Sequence, residues 1–283
     1  MIVPLSAVWF LAHRAFLRMG FRSHELRDGE HVAHLYEREG KGSAPPVLLV
    51  HGLGGNAAGF LPILRGLLRA SRRVLLLEMP GHGRARLAKG ARPAGVRDFV
   101  SMLQVAMDYV GEPLVLAGSS LGGAVVLAAA AAQPDRVRGV IGLNPAGAPL
   151  AGEARLSVVR AFRGGSMHAA LEMNKKLYAR PPRLAFLVAR GLAQHWSSLP
   201  VQHLVGEMQS DLPGIPAETL RSIRVPALIL WGEADGLLPP SFPAFFEQFL
   251  PVERMPAVGH LPMQERGKEV SARMARFLRE LPS

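Results

Sequence analysis

The sequence predicts an α/β protein: a mostly parallel sheet, helices on both of its faces, and a helical lid inserted late in the sheet. Three observations carry this expectation. Short, wholly apolar runs alternate with amphipathic or alanine-rich stretches, the pattern of buried strands joined by crossover helices. Most of these runs stop at a glycine- or proline-bearing turn. Between Ala146 and Ile223 the alternation lapses, no strand pattern appears, and it then resumes.

In chain order, Glu30 to Glu39 alternates well enough for a strand. Pro46 to Val50 is a short apolar run ending at His51-Gly52, a buried strand meeting a loop. Phe60 to Leu68 has helical spacing, and Arg73 to Glu78 is a second buried strand, stopped by Pro80-Gly81-His82-Gly83. Asp98 to Val110 reads as an amphipathic helix, and Leu114 to Ala117 as a strand. Gly122 to Gln133 is alanine-rich and helical until Pro134, and Val137 to Leu143 is again a strand. The insertion alternates Met-, Leu-, Ala- and Arg-rich helical segments with breakers at Pro181-Pro182, Pro200, Pro213 and Pro216. Pro226 to Trp231 resumes the strands, a short strand follows near Val252 to Met255, and a helix runs from Gln264 to Leu281. The expected division is a core of residues 23–145 and 224–283, a lid of residues 146–223, and a separate N-terminal helix over residues 1–22.

With 283 residues, 49% hydrophobic and 19% charged, the chain is long enough for one large domain carrying an insertion. It has no cysteine, which excludes disulfides, thiolate metal sites and a cysteine nucleophile and fits a reducing, cytoplasmic setting. The net charge of +11 is scattered along the chain, as on a solvated surface. Attraction to anionic lipid is the next reading. Nucleic acid is not expected, because no basic run is interleaved with aromatics.

Ile2 to Ala12 is apolar and is followed by His13, Arg14, Arg18 and Arg22. It is too short to span a bilayer, which takes about 20 residues. Its charge follows the apolar run, whereas a signal peptide carries charge before it. Val8, Leu11, Ala12, Ala15, Phe16 and Met19 have helical spacing. Two readings stand: a helix peripheral to a membrane, or one packed on the domain itself.

The chemistry centres on Gly118-Ser119-Ser120-Leu121-Gly122, which fits G-x-S-x-G directly after a strand and before a helix. A sharp strand-to-helix turn lifts the serine hydroxyl above the sheet, and flanking glycines avoid clashes with neighbouring backbone. A serine hydroxyl needs a base to take its proton. His260, after the last short strand, and Asp235, after Pro226 to Trp231, lie where strands end, the place where ligand sites form in open α/β sheets.

From Glu30 to its C-terminus the chain resembles the α/β-hydrolases. The matching features are His51-Gly52-Leu53-Gly54-Gly55, Pro80-Gly81-His82-Gly83, the turn at Ser120, Trp231-Gly232 with Asp235, and Gly259-His260, in that order. The resemblance implies a catalytic triad: Ser120 as nucleophile, His260 as general base and then acid, and Asp235 holding the imidazole. It also implies an oxyanion hole made by the backbone N–H groups of Leu53 and Leu121. No cofactor or metal is implied. The family's other acid position falls at Leu143-Asn144-Pro145, which has no carboxylate and so favours Asp235. Glu233 is read as a solvated loop charge, and Asp211, His51 and His82 as structural. Where the family often has an aspartate and a later serine, this chain has Glu78 and Arg84 or Ala85, departures that touch loop packing. Serine at the turn argues against dehalogenases and epoxide hydrolases, which use aspartate there.

The lid is rich in large apolar groups, among them Met173, Leu177, Tyr178, Leu192, Trp196 and Met208. More are present than a small lid buries within itself, so some are expected to face a pocket. With the basic surface and apolar N-terminus, this favours a lipophilic ester and resembles bacterial carboxylesterases and monoacylglycerol lipases. Two competitors remain. One is a carbon–carbon bond hydrolase of ring-fission products, with Arg160, Arg163, Lys175, Arg180 or Arg190 binding a dicarboxylate. The other is a non-enzymatic ligand receptor.

Overall fold

The computed structural model describes residues 4–163, 165–210 and 214–282. Among these, eight strands form one sheet: β1 (Arg22–Asp28), β2 (His31–Glu39), β3 (Val47–Val50), β4 (Arg73–Glu78), β5 (Leu114–Ser119), β6 (Val137–Leu143), β7 (Ala227–Gly232) and β8 (Val252–Met255). Their order across the sheet is β1-β2-β4-β3-β5-β6-β7-β8. β2 pairs antiparallel with both neighbours, and every pairing from β4 to β8 is parallel.

The helices are α1 (Leu5–Arg18), α2 (Leu61–Ala70), α3 (Val96–Val110), α4 (Leu121–Ala132), α5 (Gly152–Phe162), α6 (Met167–Leu177), α7 (Ala189–Trp196), α8 (Leu199–Gln209), α9 (Ala217–Arg221), α10 (Phe242–Phe246), α11 (Pro262–Glu265) and α12 (Gly267–Arg279). Alternation along the strands sorts them onto two faces. Leu48, Val50, Leu75 and Leu77 point into a core shared with α3 and α4. Val47, Leu49, Val74 and Leu76 point into a core shared with α1, α2 and α12. Helices α5 to α9 occupy the interval between β6 and β7, and no described residue there is in a strand.

Three details differ from the sequence reading. β1 is an extra edge strand, joined to β2 through Gly29 at φ 57°. Only Leu26 of β1 is buried, so no apolar pattern marks it. The helix expected over residues 1–22 ends at Arg18, and Arg22 already begins β1. The C-terminal helix is broken between α11 and α12: a Cβ on Gly267 would lie 2.5 Å from Cβ of Pro62, so the chain bends where it crosses α2. Ile2, Val3, Asp211 and Pro213 lie outside the described residues.

α2 and α12 approach so closely that a Cβ on Gly66 would fall 1.9 Å from Oγ of Ser271, which itself donates to the Ile63 carbonyl at 3.1 Å. Gly66→Ala should therefore lower the unfolding free energy by about 1–3 kcal/mol in urea titrations. Adding Ser271→Ala should return part of that loss. An unchanged midpoint for Gly66→Ala would contradict this packing.

Candidate active site

Ser120 is the single residue between β5 and α4, at φ 53° and ψ −119°. Such a backbone costs a non-glycine residue about 1–3 kcal/mol and persists only when its surroundings impose it. Here they do. The Ser120 N–H donates to the Leu143 carbonyl at 3.1 Å, and its own carbonyl accepts from Ala124 at 3.1 Å and Ala146 at 2.9 Å. The flanking glycines are sterically required. A Cβ on Gly118 would stand 2.2 Å from the Gly122 carbonyl oxygen, and one on Gly122 would stand 2.4 Å from the carbonyl oxygens of Val50 and His51.

Asp235 and His260 meet on the loops after β7 and β8, both with side chains only 2% exposed. His260 Nδ1 lies 2.7 Å from Asp235 Oδ2. The same Oδ2 accepts from Asn144 Nδ2 at 2.8 Å, while Oδ1 accepts the N–H groups of Leu237 at 2.8 Å and Leu238 at 3.0 Å. Burial works to raise the Asp235 pKa, but His260, the Leu238 amide and Asn144 outweigh it, so the group sits below the ordinary carboxylate value. Asn144 is itself fixed, at φ 40°, by a Gly232 N–H donating to its Oδ1 at 2.8 Å. The insertion reaches this corner too. The His260 N–H donates to the Leu177 carbonyl at 2.9 Å and the Gly236 N–H to the Lys176 carbonyl at 3.0 Å, both at the end of α6.

The loop after β3 is held by three histidines. Because the Met79 N–H donates to His51 Nε2 at 3.0 Å, the His51 proton sits on Nδ1 and donates to the Gly52 carbonyl at 2.8 Å. By the same logic His82 accepts the Gly54 N–H on Nε2 at 3.1 Å and donates from Nδ1 to the Pro80 carbonyl at 3.1 Å. His195, on α7, lies 3.1 Å from the Gly54 carbonyl through Nε2, which must donate there. Gly54 is thus gripped through its N–H from the loop after β4 and through its carbonyl from the insertion. Burial disfavours charge on all three. It lowers His51, lowers His82 well below the ordinary value with help from His51, and lowers His195 to about 4 against the opposing bond to Gly54. Glu78 completes the support, accepting N–H bonds from Ala57 at 3.2 Å and Arg84 at 2.8 Å.

Two cavities meet at Ser120. One, of about 220 Å³, runs along α4 past Leu121, Ala124, Val125 and Ala128 and is closed by Val158, Phe162, Met208 and Ile215. Among the described residues, Arg155 is the one charged group in its walls, and its Nε donates to the Leu150 carbonyl at 2.9 Å. The other, of about 310 Å³, contains His260, Asn56, Asn174 and Tyr178 beside Trp196, Leu192 and the α1 residues Leu5, Val8 and Trp9. Among the described residues, no cluster of three or more His, Asp or Glu is placed to hold a metal ion.

The structure therefore brings Ser120 and His260 to one cavity and joins Asp235 to His260. Leu53 lines both cavities, and Leu121 opens α4, where a helix leaves its first N–H groups without intrahelical acceptors. Glu233 is exposed and lies 3.7 Å from Arg254. Of the large apolar residues of the insertion, Met173, Leu177, Tyr178, Leu192, Trp196 and Met208 face the cavities, while Met167, Leu184, Phe186 and Leu199 are exposed. His195 is not among the residues the sequence singles out, and Asn144 enters there only as the acid position without a carboxylate. Asn144 carried one signal, its position at the end of β6.

These features define a class: a doubly covered α/β sheet with a strained serine at a strand–helix turn and a buried Asp–His pair at neighbouring strand ends. Residues 47–273 match the model of the alpha/beta hydrolase family, and the chain belongs to that family. It is 29% identical over 263 residues to the dihydrolipoyllysine-residue acetyltransferase component of the acetoin cleaving system of Pseudomonas putida, covering 89% of this chain and 68% of that one. It is 25% identical over 249 residues to Lipase 1 of Psychrobacter immobilis, covering 82% and 76%. Among solved structures, a bacterial membrane phospholipase A superposes with a TM-score of 0.79 at 23% identity, covering 98% of this chain and 95% of that one.

The histidine grip gives stability a defined pH dependence. Unfolded histidines titrate near 6.5, and His195 in the fold near 4. Between these values the unfolded chain binds more protons, so stability falls as pH falls, by up to about 1.4 kcal/mol per pH unit for each such histidine. His195→Gln keeps a donor for the Gly54 carbonyl but cannot titrate. Urea titrations across this range should show a slope shallower by about that amount, and an identical slope would contradict the buried, neutral state of His195.

Proposed function

We propose that the chain hydrolyses carboxylic esters of lipophilic acyl groups through an acyl-enzyme on Ser120. The observation that carries this reading is the apolar cavity that begins at Ser120 and follows α4. Leu121, Ala124, Val125 and Ala128 recur at helical spacing along its wall, and the two alanines leave room for a chain. Ala128 lies about 12 Å along the helix from Ser120, enough for a medium-length acyl group.

In this mechanism His260, with Nδ1 committed to Asp235, takes the Ser120 proton on Nε2 as Oγ bonds to the ester carbonyl carbon. The carbonyl π electrons move to oxygen, and the N–H groups of Leu53 and Leu121 stabilise that oxyanion by about 3 kcal/mol each. The carbonyl re-forms, the C–O bond to the alcohol breaks, and His260 returns the proton to the departing alkoxide oxygen. Water then repeats the sequence on the acyl-enzyme and frees the acid. Asp235, ionised below the usual carboxylate range, fixes the imidazole tautomer throughout. The more polar cavity, beside His260, suits the alcohol.

The carbon–carbon hydrolase reading needs cations facing the substrate. Arg160 is spent on Glu153, Arg163 on Gln209 and Lys175 on Glu172, and none of these, nor Arg180 or Arg190, lines either cavity; Arg155 does line the first, as a single cation with its Nε bonded to the Leu150 carbonyl, where a dicarboxylate needs more than one. That favours the ester. A receptor reading leaves the strained serine and the buried Asp–His pair without a purpose.

Ser120→Ala should abolish labelling by a fluorophosphonate and reduce p-nitrophenyl ester hydrolysis at least about a thousandfold. Asp235→Asn should lower kcat about ten-thousandfold while leaving the fold intact. Ala128→Phe should remove activity on long acyl chains and spare acetate. Wild-type protein inert toward every acyl ester but active on a vinylogous diketo acid would replace this reading with the carbon–carbon one.

A further inference from the structure

α1 has two apolar faces, and only one of them is covered. Leu5, Trp9, Ala12 and Phe16 face inward at helical spacing. Phe16 is buried against Phe21 and Tyr36, and Trp9 meets the His195 ring edge-on at 4.8 Å. At 100° per residue, Phe10, Leu11, Arg14, Leu17 and Arg18 fall on the opposite side. Phe10 is 57% exposed, Leu11 63% and Leu17 41%, although large apolar side chains are mostly withdrawn elsewhere on this molecule. Phe10, Leu11, Arg14 and Arg18 share one shallow depression on the surface. Among the described residues, neither Arg14 nor Arg18 forms an ion pair, and α1 contains no acidic residue.

We propose that this outward face of α1 docks on the surface of an anionic phospholipid bilayer. The combination is that of an interfacial helix: apolar side chains to enter the acyl boundary and arginines to meet phosphate. The helix lies in the plane of the surface. Its 14 residues extend about 21 Å, short of the roughly 30 Å hydrocarbon core. No helix among the described residues is long and apolar enough to cross a membrane. A second copy of this chain is the poorer occupant. A two-fold contact would set the same unpaired arginines against each other with no carboxylate on the helix to answer them. The charge of the whole chain, +11, adds to the attraction.

The docking face is also the back of a cavity wall. Leu5, Val8 and Trp9, on the inner side of the same helix, line the cavity that contains His260. Lipid held against Phe10 and Leu11 is therefore one helix diameter from the site. The two sequence readings of this segment, packed on the domain or lying on a membrane, belong to its two faces.

Co-sedimentation with vesicles of phosphatidylcholine and phosphatidylglycerol in equal parts tests the proposal. Wild-type protein should bind these vesicles, bind pure phosphatidylcholine more weakly, and lose binding as salt rises. Arg14→Gln with Arg18→Gln should weaken partitioning about thirtyfold. Phe10→Ser with Leu11→Ser, at exposed positions that leave the fold and the hydrolysis of a soluble short-chain ester unchanged, should weaken it at least about tenfold. Equal binding by wild type and both variants, or no binding by wild type, would overturn the proposal. So would a wild-type dimer that Phe10→Ser and Leu11→Ser dissociate without any vesicle binding. Because sedimentation needs no catalysis, the ester reading can fail without touching this result.

Discussion

The site depends on how closely α4 is driven against the ends of β3 and β5. With hydrogen atoms at Gly118 and Gly122, the first turn of α4 rests on the carbonyls of Val50 and His51. No movement short of separating helix from sheet would admit a methyl group there. This contact forces Ser120 into its left-handed backbone and sets the Leu121 amide at the open end of a helix. It also points the rest of α4, with its alanine-rich wall, down one side of the cavity. The strained serine, the nearby amide and the apolar cavity wall are thus consequences of a single steric condition.

A second economy concerns charge. The loop after β3 could have been held by ion pairs, but a buried ion pair must offset a large desolvation penalty. Three neutral imidazoles do the same positioning with directed hydrogen bonds, both ring nitrogens of His51 and His82 being paired. Asp235, by contrast, is a buried carboxylate held below its ordinary pKa. It is stabilised by an amide from Asn144 and two backbone N–H groups in addition to His260. That network consumes its lone pairs and fixes its orientation, which is why Asn144 tolerates an unusual backbone to join it.

Much of the fold could be read from the chain because buried parallel strands leave contiguous apolar runs such as Val47–Val50 and Arg73–Glu78. β1 (RSHELRD) left none, since an edge strand facing solvent needs only Leu26 inside. α10, five residues of mostly aromatic sequence, is too short to show a period. In the site, Ser120, Asp235 and His260 were visible because each follows a strand. Asn144 looked like the mere absence of an acid, and His195 like one of ten histidines. His195 acquires its role 141 residues away from Gly54, a relation that no local pattern encodes.

That relation limits how this molecule can be rebuilt. In a fold of this kind, the segment between β6 and β7 looks like an interchangeable module, and its apolar walls invite replacement to alter what enters the cavity. Here the module also supplies the hydrogen bond to the Gly54 carbonyl and accepts the His260 N–H through Leu177. A transplanted segment lacking those two groups would leave an unpaired buried carbonyl on one loop and an unpaired amide on the other. Grafts that carry over the donor at 195 and the turn after α6 would keep both loops anchored, whatever pocket they bring.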